Sequence, residues 1–415
     1  MCNIISRHNL NSAKLPVRDY NAVSTPLVKK SELHSPNREN CSVDPAIVNP
    51  NIPHIQREDA AKKLLDLFYP VHYVVGMKVE DTLRTNDLLN RHQVAVLWII
   101  RSEGTNGISM RRKNIENALT GWYETSSSAI SKAVRALAKP PLSLVTIQEH
   151  PQSAREKLVT LTPAGEKFLL QMTNNGVLLC SWYLSAMERF PEEMDVCLYI
   201  FSKVNAIFES LIDQERGETL KHLNTNEMML RHPLTSTFLT RSYSLDEITR
   251  IPREYAALMQ LNAFFPIHYT AGNRLEIALR RGANLSRQQV IILWIISAEG
   301  DNGMSMPRKA IEKALRDWLE ITSSSVSKAI RSLTGAPHNI LTIVERPESG
   351  REKLVCLTEE GRVFADDMFE NGTQFLNKVI ENLSNEEIDM VLHVFERTSE
   401  IFEGYPGPFR DEKEV

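Results

Sequence analysis

The chain has 415 residues, 42% of them hydrophobic and 24% charged, with a formal net charge of -4. That length predicts two or three domains with real cores. The mild acidity argues against a protein that coats nucleic acid regardless of sequence, while a local basic surface remains compatible with it.

Cys2, Cys41, Cys180, Cys197 and Cys356 form no CxxC pair and no regular framework, so free thiols in a reducing compartment are expected. Met1 to His8 lacks a long apolar core, so no signal peptide is expected. The apolar run from Val94 to Ile100 is too short to span a bilayer. Together these features predict a soluble, cytoplasmic protein with no membrane partner. No phosphate-binding Gly-rich loop and no GxSxG is present, so no enzyme is expected. Ser325 to Lys328 spells Ser-x-x-Lys, but Ala129 replaces that serine in the other copy, and the string is read as accidental. No His or Cys spacing suited to metal ligation recurs, so neither metal nor cofactor is expected.

Residues 1–54 are rich in Asn, Ser and Pro and read as a disordered tail, in which Val17 to Tyr20 and Pro26 to Lys30 are pieces for folding onto a partner. A first domain is expected over residues 55–213. Its helix Arg57–Phe68 runs into Tyr69 to Tyr73, and a second helix follows from Val74 to about Leu89. Arg91 to Glu103 reads as a buried helix ended by Gly104. Helices are predicted over Met110–Trp122 and Thr125–Leu137, then a β-hairpin over Leu144–Thr162. A long helix follows from Thr162 towards Gly176, and an amphipathic stretch runs from about Leu178 to Ile212, with Pro191 as a break. Residues 214–250 read as a polar linker containing a helical piece, Asn226–Arg231. A second domain is expected over residues 251–404 and a polar, frayed tail over residues 405–415.

The stretch Ile321–Leu333 carries most of the functional reading. Val326, Ala329, Ile330 and Leu333 share one helical face, and Ser324, Ser327, Lys328 and Arg331 the other. Thr322 or Ser323 can cap it. Its polar face has hydroxyls and two cations but no acid, which suits phosphates and base edges; an ordinary solvated face is the alternative. The same element occurs at Thr125–Leu137, and each copy is followed by the same hairpin pattern, the second at Ile340–Thr358. Trp294, Gly300, Arg351 and Thr358 each lie 196 residues after Trp98, Gly104, Arg155 and Thr162. So long a repeat is a duplicated domain. Helix, helix and a hairpin with a cationic tip make a winged helix-turn-helix. The expected fold is mainly α with small β-hairpin wings: two tandem winged helix-turn-helix domains with helical dimerisation-type extensions.

On this reading the DNA-contacting candidates of the first copy are Ser127, Ser128, Ser131, Lys132 and Arg135, and those of the second are Ser323, Ser324, Ser327, Lys328 and Arg331. For Ser127, Ser128, Ser323 and Ser324, capping and phosphate contact stay equally open. Arg155 and Arg351 at the wing tips suit a minor groove or flanking backbone. Arg112, Lys113, Arg308 and Lys309, at the start of the preceding helix, suit phosphates. Trp98, Trp122, Trp294 and Trp318 read as core.

The chain resembles the MarR family of winged-helix regulators and its two-domain SarA-like relatives. The residues that carry the likeness are Glu103-Gly104 and Glu299-Gly300, the Ser-rich helices with their Lys and Arg, the Leu-Thr-x-x-Gly motifs at Leu161 to Gly165 and Leu357 to Gly361, and the stretch Leu383–Leu392. The resemblance covers roughly Ile55 to Asp213 and Ile251 to Glu403. It implies a regulator of double-stranded DNA, with the recognition helix in the major groove, the wing on the adjacent backbone or minor groove, and first and last helices forming a dimer interface. It also implies a small aromatic effector near His72, Tyr73, His268 and Tyr269, although pockets of that composition are also ordinary domain junctions. Three features depart from the pattern. The wing triplets Ser153-Ala-Arg155 and Ser349-Gly-Arg351 keep the arginine but not the family's acid. The link between the two reading helices is about a turn longer. Two units share one chain, so the sequence supplies its own pseudo-two-fold partner, and a homodimer of chains stays open.

The expected function is a sequence-specific transcriptional regulator, nucleoid-associated, whose repeats act as a pseudo-dimer on two half-sites. The rivals are a winged-helix replication or partition protein of a mobile element, and a protein-interaction module that has lost DNA binding.

Overall fold

The computed structural model describes residues 55–84, 88–122, 126–150, 153–189, 192–215, 253–282, 284–319, 321–346 and 349–408. The N-terminal tail, the linker beyond Glu215 with its piece Asn226–Arg231, and the end of the C-terminal tail lie outside these residues.

Each repeat builds the same elements in the same order. The first has α1 (Arg57–Tyr69), a π-helical turn (Pro70–Val75), α2 (Gly76–Leu83), α3 (Arg91–Glu103), β1 (Ser109–Arg111), α4 (Arg112–Trp122), α5 (Ser127–Leu137), β2 (Val145–His150), β3 (Ser153–Leu161), α6 (Pro163–Met187) and α7 (Glu193–Glu215). The second has α8 (Arg253–Phe265), a π-helical turn (Pro266–Ala271), α9 (Gly272–Leu279), α10 (Arg287–Glu299), β4 (Ser305–Pro307), α11 (Arg308–Leu319), α12 (Ser323–Thr334), β5 (Leu341–Arg346), β6 (Ser349–Leu357), α13 (Glu359–Ile380) and α14 (Asn385–Glu403).

Local chemistry explains the helix starts. Asn90 with Gln93, Ser286 with Gln289, and Ser384 with Glu387 form capping boxes, in which side chain and backbone satisfy each other's orphan N–H groups. Thr162 and Thr358 cap α6 and α13 by accepting from the N–H of Gly165 and Gly361.

Four expectations need correction. Pro70 does not separate two helices: it heads a π-helical turn with helical backbone angles, and the chain stays helical through to Leu83. The wing is three-stranded, in the order β1-β3-β2 and β4-β6-β5, so Met110 and Arg111 belong to an added edge strand and not to a helix. The helix after the wing passes Gly176 and continues to Met187. Tyr405 is not frayed: its hydroxyl lies 2.9 Å from Thr82 Oγ1, and its ring packs on Trp182 and Phe402.

In each reading head, α3 or α10 packs against the two helices that follow it and the sheet closes one side. The remaining helices pack across the repeats. α1 lies on α13 and α14, and α8 lies on α6 and α7. Close crossing is set by glycine: a Cβ at Gly176 would meet Leu261 Cδ2 at 2.8 Å, and one at Gly372 would meet Leu279 Cδ2 at 2.7 Å. The repeat offset of 196 holds through α13 and then shortens to 194, so that Glu193, Phe201 and Phe208 match Glu387, Phe395 and Phe402. Two residues are lost between the last two helices of the second repeat, which leaves the helices themselves in phase.

Candidate nucleic-acid interface

The helices that the sequence marks as candidate recognition helices are α5 and α12. Ser126 caps the first by accepting from Ala129 N–H at 3.2 Å, and Thr322 caps the second by accepting from Ser325 N–H at 3.2 Å. Capping therefore falls to residues just outside the helices, and Ser127, Ser128, Ser323 and Ser324 are left exposed. Ile130, Ala133, Val134 and Leu137 are buried, as are Val326, Ala329, Ile330 and Leu333, which fixes the outward face. Lys132, Arg135, Lys328 and Arg331 stand exposed on that face, with Lys113 and Lys309 exposed at the start of α4 and α11.

Ser131, Ser327, Arg112 and Arg308 are engaged in a brace behind the outward face, with Ser131 buried and the other three partly exposed. Ser131 is buried; its hydroxyl donates to Glu116 Oε1 at 2.7 Å and accepts from Arg112 Nη2 at 2.6 Å. Arg112 Nε donates to the same Glu116 oxygen at 2.9 Å. The second head repeats the brace: Arg308 Nε donates to Glu312 at 2.8 Å, and Ser327 bridges Arg308 and Glu312. These side chains sit where α5 and α12 face the preceding helix, so helix-to-helix contact claims them. The outward face is free of acid, but a carboxylate lies directly behind it.

Arg155 and Arg351 lie in the wing strands β3 and β6. Elsewhere on the first wing, Lys157 pairs with Glu149 at 2.9 Å and Arg111 with Glu156 at 3.3 Å. Trp98, Trp294 and Trp318 are core residues; the side chain of Trp122 lies outside the described set.

His72, Tyr73, His268 and Tyr269 are all buried at the junction of the repeats, where they tie one repeat to the other. Glu80 accepts from Arg91 Nε of its own repeat at 2.9 Å, from His268 Nε2 at 3.0 Å and from the Tyr269 hydroxyl. Glu276 mirrors it, with Arg287 from its own repeat, Tyr73 OH at 2.7 Å and His72 Nε2 at 3.4 Å. Burial alone would raise the Glu80 carboxyl, but Arg91, His268 and Tyr269 outweigh it and hold it at about 2. Glu276 is held low against the same burial by Arg287 and His72. Burial pushes His268 down to about 4 and lowers His72 as well, against the pull of the carboxylates. Both rings are therefore neutral near pH 7, each with Nε2–H facing its glutamate. The Tyr73 ring stacks on Trp318 at 4.9 Å, and Tyr69 OH donates to Glu299 at 2.7 Å, linking this junction to the second reading head. A narrow cavity of about 30 Å³ borders His72 and His268 but neither Tyr73 nor Tyr269, so the four residues do not line one common pocket.

Glu116 and Glu312, Glu80 and Glu276, and Arg91 and Arg287 stand in no motif that marks them as partners of these side chains. The signal was present, since each pair is identical at the repeat offset of 196. Among the described residues, no group of His, Cys, Asp or Glu is placed to hold a metal ion, and no helix is long and apolar enough to cross a membrane.

Residues 89–165 and 285–361 each match the family model of a winged helix DNA-binding domain. Each match runs from the approach to α3 or α10 into the start of α6 or α13, covering the reading head and leaving out the helices that join the repeats. No curated protein matches the chain. The protein is mainly helical, with small antiparallel three-stranded sheets, and carries two winged-helix domains in tandem.

Proposed function

We propose that this protein is a sequence-specific regulator of transcription that binds double-stranded DNA, of the MarR and SarA-like kind, and that its two repeats act as a pseudo-dimer reading two half-sites. The observation that carries the reading is the duplicated outward face. Lys132 with Arg135, and Lys328 with Arg331, stand exposed at matching positions of α5 and α12, flanked by exposed serines. Basic side chains gathered on one helical face form the electrostatic footprint of a nucleic-acid reader. The exchange of terminal helices, α1 onto α13 and α14 and α8 onto α6 and α7, supports the pseudo-dimer. Half-sites about one helical turn apart, or a small multiple of it, follow for a two-fold reader.

The test is a salt-titrated binding series on duplexes, with one half-site scrambled at a time. The wild-type chain is expected to bind far more tightly than the variant with Lys132, Arg135, Lys328 and Arg331 all replaced by alanine. Equal affinities would overturn the DNA reading and favour a protein-interaction module.

A further inference from the structure

The outward cations of the two reading heads match, but their surroundings do not. Residues 89–165 hold ten Lys and Arg against five Asp and Glu, a net of +5, whereas residues 285–361 hold ten against ten, a net of zero. The difference lies on the surface. Among the described residues of these two ranges, six cations and two acids are exposed in the first head, and six cations and six acids in the second. At the offset of 196, Thr105, Gly121 and Ala164 give way to the exposed acids Asp301, Asp317 and Glu360.

At physiological salt a charge is felt over about 8 Å, so the charges beside a reading helix count first. They differ at both ends of it. Asp317 stands exposed near the end of α11, just ahead of α12, where the first head has Gly121. Gly335 is the C-cap of α12, where the first head has the exposed Lys139, next to the C-cap of α5. Nothing in the fold demands that glycine. A Cβ on residue 335 would meet Arg331 O at 3.7 Å, an ordinary contact, and its φ of -109° is open to any residue. The two reading helices thus carry equal cations into unequal fields.

We propose that the two heads share DNA unequally: the first supplies the larger part of the sequence-independent hold on phosphates, and the second presents its reading helix from a nearly neutral surface. This division of labour rests on the DNA reading above and deepens it. Neutralising phosphates releases counterions whatever the sequence, so the salt-sensitive part of the affinity follows the positive charge of each head. Base contacts need only the local helix face, so Lys328 and Arg331 can still discriminate a half-site. The partner that fits is an asymmetric duplex site. One half is held mainly through its backbone, and the other depends on its base edges.

The experiment measures binding of the full chain to a random-sequence duplex over a range of salt concentrations. Lys132→Ala with Arg135→Ala is expected to lower the slope of log affinity against log salt by about two, one for each lost phosphate contact. Lys328→Ala with Arg331→Ala is expected to lower it by about half as much. Asp317→Asn with Gly335→Lys, which brings the flanks of α12 close to those of α5, is expected to tighten binding and steepen the slope by about one. The residues changed in the first two variants are exposed, so those variants should fold, and thermal unfolding checks all three. Equal losses from the two alanine pairs, or a larger loss from the second, would overturn the unequal sharing and leave the DNA reading standing. So would an unchanged slope in the Asp317→Asn, Gly335→Lys chain. A wild-type chain that binds no duplex at all would overturn the DNA reading, and the unequal sharing with it.

Discussion

The imidazole of His268 lies directly over Gly76: a Cβ on residue 76 would stand 2.2 Å from ring atoms Cε1 and Nδ1. Gly272 bears the same relation to His72, at 2.0 Å from Cε1. Glycine is required here for close approach between helices of different repeats, while its backbone angles stay helical. Gly76→Ala is therefore expected to destabilise the chain by about 1–3 kcal/mol, the usual cost of overpacking a tight core. Gly76→Ala combined with His268→Ala should recover part of that loss, although the second change also unties Glu80. Denaturant unfolding of the full chain checks this; a neutral Gly76→Ala would refute the contact.

Glu80 joins both repeats through Arg91, His268 and Tyr269 and is 2% exposed. Removing one partner of a buried pair leaves the other charge stranded, at a cost of about 3–5 kcal/mol. Glu80→Ala is expected to fall in that range, and Glu276→Ala beside it, whereas truncation of the exposed Glu149 should be nearly silent. Equal effects at Glu80 and Glu149 in thermal unfolding would contradict this account.

Acid should loosen the same junction. Burial holds His268 at about 4 in the fold against an ordinary 6.5. A depressed folded pKa contributes stability that is complete above 6.5 and is lost as pH falls through about 4. His72 is lowered for the same reason. Glu80, at about 2 against an ordinary 4.5, acts in the same direction over a more acidic window. Stability is expected to fall steadily from pH 6.5 towards 4, and His72→Gln with His268→Gln should flatten that slope. A slope unchanged in the double variant would show that other groups set it.

The brace behind the recognition helix gives a contrast within one short run. Arg112 is held by Glu116 and Ser131, whereas Lys113 is exposed. Lys113→Ala is expected to reduce the salt dependence of DNA binding by about one phosphate contact, while Arg112→Ala leaves that slope unchanged and lowers stability. Glu116→Ala should weaken DNA binding even though it removes an acid, because α5 loses its support. Tighter binding by Glu116→Ala would show that the carboxylate acts on DNA by charge alone.

The two arginines of the second head should behave differently. Arg331→Ala on the outward face of α12 is expected to cost about 1–3 kcal/mol of binding and to relax sequence preference in one half-site. Arg351→Ala in the wing strand should weaken binding to all sequences and flatten its salt dependence. Competition binding against a randomised duplex library separates the outcomes.

The sequence by itself determined the elements and their repetition. Apolar spacing in Val326, Ala329, Ile330 and Leu333 fixes which way a helix turns, and that is a local property of the chain. The alternation within Leu341–Arg346 and its turn likewise determine a wing. What only the tertiary structure decided was the fate of polar side chains at the borders between elements. Ser131 looks outward by helical spacing, yet a neighbouring helix supplies Glu116 and claims it. His72 and His268 look like pocket residues by composition, yet each meets a glutamate about 200 residues away in sequence, at Glu276 and Glu80. The edge strands β1 and β4 escaped notice because three residues carry too little periodicity, and they form only where β3 and β6 offer free backbone groups. Burial of an apolar face can be read from one segment, but a buried polar group needs its partner, and the partner is chosen by packing.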